Sequence, residues 1–111
     1  MNTGYIYLIE SYNSTGGVEL EYKIGYTRNK DINKRLSQLK TGNPNQLKIV
    51  KKFESEHGQK VETSLHNIFS HKKIDGEWFR LNNEDVNNFI EICEKLESNY
   101  NTLLINNNPF V

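Results

Sequence analysis

Alternation with a period of two marks the start of the chain as a strand. From Gly4 to Ser11, Tyr5, Tyr7 and Ile9 fall on one face, and Ile6 and Leu8 on the other. Asn13 to Gly17 is turn chemistry, and strand character resumes from Glu21 to Thr27, so the two runs predict an antiparallel hairpin. Ile32, Leu36 and Leu39 then recur at helical spacing within Asp31–Lys40, and Thr41-Gly42-Asn43-Pro44 ends that helix. Leu47 to Phe53 reads as a third strand, with Leu47, Ile49 and the stem of Lys51 on the face opposite Val50. A second helix is expected from near Ser55 to about Ser70, on a stripe of Val61, Leu65, Ile68 and Phe69. After a turn at Asp75-Gly76, Glu77 to Leu81 is a short extended piece. The third helix is capped by Asn82 or Asn83, has Glu84 and Asp85 in its first turn, and lines one face with Val86, Phe89, Ile90, Cys93 and Leu96. Three strands covered by helices predict a small α/β (α+β) sandwich.

Length adds a bound. With 111 residues the chain has room for one domain and one modest core, burying roughly two-thirds of its unfolded surface. We place that domain at residues 1–100, with a C-terminal tail at 101–111 that carries Leu103, Leu104, Ile105 and then asparagine-rich sequence. The single Cys93 excludes an intramolecular disulfide, and its place on the helix stripe makes it a small buried hydrophobe. No apolar run long enough to span a bilayer and no leader-like segment occurs, so the expectation is a soluble, intracellular (cytoplasmic) protein without a membrane partner. The asparagine-rich composition is of the kind encoded by compact, AT-rich genomes, viral ones included.

Charge changes the picture more than length does. The formal net charge is zero, yet Tyr22 to Lys60 holds ten Lys or Arg against three acidic residues, a net +7. Ile74 to Glu97 holds two against seven, a net −5. Segregation of this kind gives one surface the potential that attracts a polyanion while the whole stays neutral.

The residues that carry chemistry are spread from the first strand to just beyond the second helix. Gly4-Tyr5-Ile6-Tyr7 followed by Lys23-Ile24-Gly25, with Arg35-Leu36 in the first helix, Glu62 in the second and Glu77-Trp78-Phe79 beyond it, resembles the GIY-YIG endonuclease superfamily. The likeness spans about Gly4 to Leu81 and is closest to a phage-type branch with a Lys-Ile-Gly second motif. It implies a three-stranded antiparallel sheet flanked by three helices, and hydrolysis of nucleic-acid phosphodiesters with one divalent cation, Mg²⁺ or Mn²⁺. By position, Tyr7 matches the tyrosine of the first motif, Arg35 the helix arginine and Glu62 the metal ligand.

The residue types suit these roles. A guanidinium is always ionised and fork-shaped, which fits the extra charge on a phosphate under attack. A carboxylate is a hard ligand for Mg²⁺. Tyr7 would position or deprotonate the attacking water. Since a free phenol is only about one part in a thousand ionised at neutral pH, deprotonation needs a nearby cation. Lys23 stands where the wider family has tyrosine, and an ammonium beside Tyr7 would favour phenolate. His66, four residues after Glu62, projects beside it to bond the phosphate or tune the metal site, or forms a plain helix-surface pair with it. Tyr26 and Thr27 border the site as candidate nucleic-acid contacts, and Lys30 and Lys34 are candidate phosphate contacts. His57 and His71 near helix ends read as capping or surface residues, and Trp78 and Phe79 as core, each contributing about 2–3 kcal/mol.

The expected substrate is DNA, with RNA left open. A surface this small reads a long sequence only as a homodimer or larger assembly. The alternative is a catalytically weak or inactive nucleic-acid-binding module of the same fold, favoured by Lys23. A third reading is a protein-interaction domain using the acidic third helix.

Overall fold

The alternating stretch at the start of the chain forms β1 (Gly4–Tyr12), the middle strand of a β3-β1-β2 core. β2 (Glu21–Thr27) pairs antiparallel on one side, with Tyr7 opposite Gly25 and Ile9 opposite Lys23. β3 (Gln46–Ser55) pairs antiparallel on the other. The computed structural model describes residues 3–12, 20–40 and 46–106. The turn expected at Asn13–Gly17, the helix stop at Thr41–Pro44 and the asparagine-rich end from residue 107 lie outside these.

Two expectations are corrected here. Among the described residues the sheet has five strands, not three, because β4 (Lys73–Asp75) and β5 (Trp78–Phe79) form a small hairpin that adds to the free side of β2. Gly76, at φ 56°, supplies the left-handed residue of the turn between them. Strands of three and two residues are too short to show a period, and only their partners make them strands. In β3 the register slips between Leu8 and Ile9 of β1. Lys52 therefore sits opposite Tyr7 and shares the Leu47–Ile49 face, the position expected of Lys51, which falls opposite Leu8 instead.

Each face of the sheet carries its own core. On one, Ile6, Leu8, Tyr22 and Ile24 meet Val61 and Leu65 of α2 (Gly58–Ile68) and Phe89 and Cys93 of α4 (Phe89–Asn106). On the other, Tyr7, Ile9 and Leu47 meet Ile32 of α1 (Ile32–Lys40), with Leu36 and Leu39 behind it as the spacing predicts. Of the α2 stripe, Val61, Leu65 and the following Phe69 are buried, but Ile68 is 44% exposed. The expected third helix is two: α3 (Asn83–Asn87) ends at Asn88 and α4 begins at once, giving four α-helices among the described residues. Asn82 caps α3 in a capping box with Asp85, as expected. α4 continues through Asn106, so helix extends beyond the expected boundary at residue 100.

Long-range contacts from α4 set α2 in place. His57, at its N-terminus, makes no side-chain cap. Instead, Glu97 of α4 accepts from Ser55 Oγ at 2.5 Å and from the Glu56 N–H at 2.9 Å, while Ser64 and Tyr100 hydroxyls bond at 2.5 Å. α4 thus holds the helix that carries Glu62 and His66.

Candidate active site

β1, β2 and α1 build the first half of the site. Tyr7 lies across Gly25: a Cβ at that glycine would stand 2.3 Å from the phenol Cζ and Oη, so only glycine admits the ring. The ring is fully buried. From α1, Arg35 Nε donates to Tyr7 Oη at 3.4 Å, and Nη1 donates to Gln38 Oε1 at 3.4 Å. The phenol's hydrogen bond is the main cause that raises the guanidinium's already high pKa.

Lys23, two residues before Gly25 on the same face, is 8% exposed. Its ammonium bonds Glu77 Oε1 at 2.5 Å and stands 5.9 Å from the Trp78 ring centroid. The carboxylate takes the ammonium, and the guanidinium takes the phenol. Glu77 was not singled out for chemistry from the sequence. A signal existed, because a lysine in a core strand needs a counter-charge and the nearest acid of the adjoining motif is Glu77.

α2 brings the second half from the opposite side of the sheet. Gly58, Glu62 and His66, at i, i+4 and i+8, form one ridge along β2. Gly58 receives the Tyr26 ring so closely that a Cβ would lie 1.9 Å from it. His66 Nε2 is 3.0 Å from the Ile24 carbonyl, and its ring meets Phe79 edge-on at 4.9 Å. The two faces communicate because β5 pairs with β2 only at Tyr22 and Lys23. The Ile24 N–H then goes to the Glu77 carbonyl at 3.1 Å, and the Ile24 carbonyl to His66. One backbone carbonyl and one imidazole replace the missing strand, and the sheet opens there.

Glu62, half-buried between Gly58 and His66, lies in this opening. Burial first, and the Glu77 charge second, raise its pKa, against the pull of His66, Lys23 and Arg35. Single ligand atoms of Glu62, His66 and Glu77 all lie within 4.8 Å of one another. A carbonyl only accepts, so Nε2 of His66 carries the hydrogen and neutral imidazole keeps Nδ1 as a lone-pair donor. Two carboxylates and one imidazole, two of the three groups from α2 and Glu77 from the turn before β5, suit a hard divalent cation.

The structure therefore gathers Tyr7, Lys23, Arg35, Glu62 and His66, and adds Glu77. The other four expected site residues stand outside this group. Tyr26 is wedged between Gly4 and Gly58 and lines a cleft of about 220 Å³ with Arg28 and Lys60. Thr27 Oγ1 accepts the Asn29 N–H. Lys30 and Lys34 are exposed, and the Lys30 carbonyl accepts from Lys52.

The model of the T5orf172 domain family matches residues 4–94, most of the chain and all of this site. The chain belongs to the T5orf172 domain family. That domain is phage-associated and found in nuclease contexts. No curated protein and no solved structure matches the chain. Within the T5orf172 domain, every residue of the opening falls inside the matched span, while the last turns of α4 lie beyond it. No helix among the described residues is long and apolar enough to cross a membrane.

Proposed function

We propose that this T5orf172 domain is an endonuclease that hydrolyses DNA phosphodiester bonds with one divalent cation, Mg²⁺ or Mn²⁺, held at Glu62. The observation that carries the reading is the convergence of a guanidinium, an ammonium, an imidazole and a half-buried carboxylate at the opening between β2 and β5. The GIY-YIG resemblance and the family's nuclease contexts support it. Bound at Glu62, such an ion supplies Lewis acidity to a phosphate oxygen and charge relief to the leaving 3′-oxygen.

The chain's own groups do the rest. Arg35 binds the phosphate with its fork, already oriented through Nε by the Tyr7 hydroxyl. Tyr7 has no surface of its own, so it acts as a positioning residue for Arg35 and reaches water only when that contact opens. Lys23 adds a second positive charge from within the sheet. His66, locked in orientation by Ile24, holds the β2 edge open beside Glu62. Exposed Lys30 and Lys34 on the α1 side, with Tyr26 and Thr27 at the end of β2, contact the flanking strand. Sequence specificity comes from a second copy or a partner, since one domain of this size offers little reading surface.

Supercoiled plasmid nicked in Mg²⁺ and protected by EDTA is the expected result. Glu62→Gln and Arg35→Ala should each lower the rate by about a hundredfold or more while the far-UV circular dichroism stays unchanged. Nicking by Glu62→Gln at the wild-type rate removes the assignment. The second reading is a binding module without cleavage, favoured by the Lys23–Glu77 pair standing where the wider family has tyrosine. Salt-sensitive DNA binding with no Mg²⁺-dependent cutting selects it.

A further inference from the structure

Beyond Glu62, the opening contains a carboxylate that the reading above leaves without a role. We propose that Glu77 is a second carboxylate ligand of the cation, with Lys23 as the counter-charge it gives up when the ion enters. The inference rests on the nuclease reading for the existence of a cation at Glu62, and adds who shares it.

Glu77 is fixed from two sides. Its carbonyl accepts the Ile24 N–H at 3.1 Å, and Gly76 before it takes the positive φ that turns the chain back into β5. The carboxylate is therefore delivered to the opening by backbone, and its side chain is 41% exposed while that of Lys23 is 10% exposed. Ligand atoms of Glu62, His66 and Glu77 lie within 4.8 Å. Opposite oxygens of an Mg²⁺ octahedron stand about 4 Å apart. A side-chain shift of less than an ångström or so closes that gap, without backbone movement.

Charge explains the exchange. Without an ion, Glu62 and Glu77 bring two negative charges to one opening and Lys23 returns one. With a divalent ion, and with Arg35 counted, the balance is +2, which draws in a phosphodiester at −1. Were Glu77 to stay with Lys23 alone, the ion would face a single carboxylate while an acceptor stood beside it. Once Glu77 turns to the ion, the Lys23 ammonium loses its hydrogen-bonded partner in a nearly closed setting, and the nearest new anion is the bound phosphate. Lys23 thereby becomes a phosphate ligand only when the cation is in place. This couples ion binding to substrate binding.

The test is Mn²⁺ binding to the full chain without DNA, read by electron paramagnetic resonance of the free ion. Glu77→Gln should weaken Mn²⁺ at least tenfold, and Lys23→Met, which removes the competing cation, should bind it as tightly as wild type or tighter. In the presence of Mn²⁺, Lys23→Met should bind DNA at least tenfold more weakly than wild type, and without Mn²⁺ about equally. Mn²⁺ affinity unchanged in Glu77→Gln but lost in Glu62→Gln overturns this inference and leaves the one-carboxylate site standing. Affinity unchanged in Glu62→Gln as well, or no Mn²⁺ binding by the wild-type chain, overturns both. Weaker Mn²⁺ binding by Lys23→Met shows that the ammonium supports the ion rather than competing with it, and overturns the exchange.

Discussion

The two faces of the sheet are built from the same strands yet have opposite characters. The face under α2 and α4 is an apolar core, with Ile6, Leu8, Ile24, Leu65 and Phe89 all without exposed surface. The face under α1 is smaller, and it mixes apolar residues with Tyr7, the nearly buried Lys23 and the Arg35 that reaches over it. Neighbouring residues of one strand point to opposite faces, so Ile24 stabilises one core while Lys23 and Gly25 shape the other. The lesson is a division of labour residue by residue: the apolar face holds the fold, which lets the other face keep charges that add little to stability.

Breaking the apolar face should have the largest effect. Phe89→Ala removes a fully buried ring from the α2–α4 core and should cost about 3–5 kcal/mol. Against a total of about 5–15 kcal/mol for a domain, that removes from roughly a fifth to all of the stability and lowers the urea midpoint in proportion.

Next comes Gly25→Ala, which attacks the other face. The new methyl would meet the phenol of Tyr7 well inside contact distance, so the ring must leave its place over β2. Overpacking of this kind costs about 1–3 kcal/mol. The larger consequence is functional, since Arg35 loses the acceptor that orients it. A folded Gly25→Ala protein that nicks DNA at full rate would show that Tyr7 is packing alone.

The smallest effect sharpens the contrast by reversing its sign. Glu62 has a folded-state pKa raised mainly by burial. A carboxyl with a raised pKa binds its proton more tightly when folded, so its ionised form costs stability at neutral pH. That cost disappears as pH falls through the folded-state pKa. Glu62→Gln removes it, and the melting temperature at pH 7 should rise slightly even as cleavage is lost. The wild-type and variant curves should converge in the acid range. A lower melting temperature for Glu62→Gln at pH 7 would mean that its ion contacts with Lys23 and Arg35 outweigh its burial.

Cys93 marks how far the apolar face differs from the site. It is fully buried, and burial together with Glu94 and Glu97 pushes its thiol up to about 12. It is the inert hydrophobe expected from its helix stripe.

Much of this was legible along the chain, for a physical reason. Periods of two and 3.6 report which side of an element is buried, and the Ile6–Leu8 and Ile32–Leu36–Leu39 faces follow from that directly. The Asn82 cap was legible because capping is local. The elements that escaped are those made by partners rather than by pattern: β4, too short for a period, with the pairing that joins it and the expected extended piece at Trp78–Phe79 to the sheet, and the slip in β3 that exchanges Lys51 for Lys52. The break at Asn88 escaped too, since the apolar stripe runs through it.

By itself the sequence determined the strand faces and the helix stripes, because side-chain alternation and helical pitch are properties of the backbone, while Tyr7, Arg35 and Glu62 stood out only through the resemblance to the GIY-YIG endonucleases. Only the tertiary structure decided that Lys23 belongs to Glu77 and Tyr7 to Arg35. Strand pairing chooses which distant groups meet at the end of β2, and a buried charge settles on whichever opposite charge that pairing brings within reach.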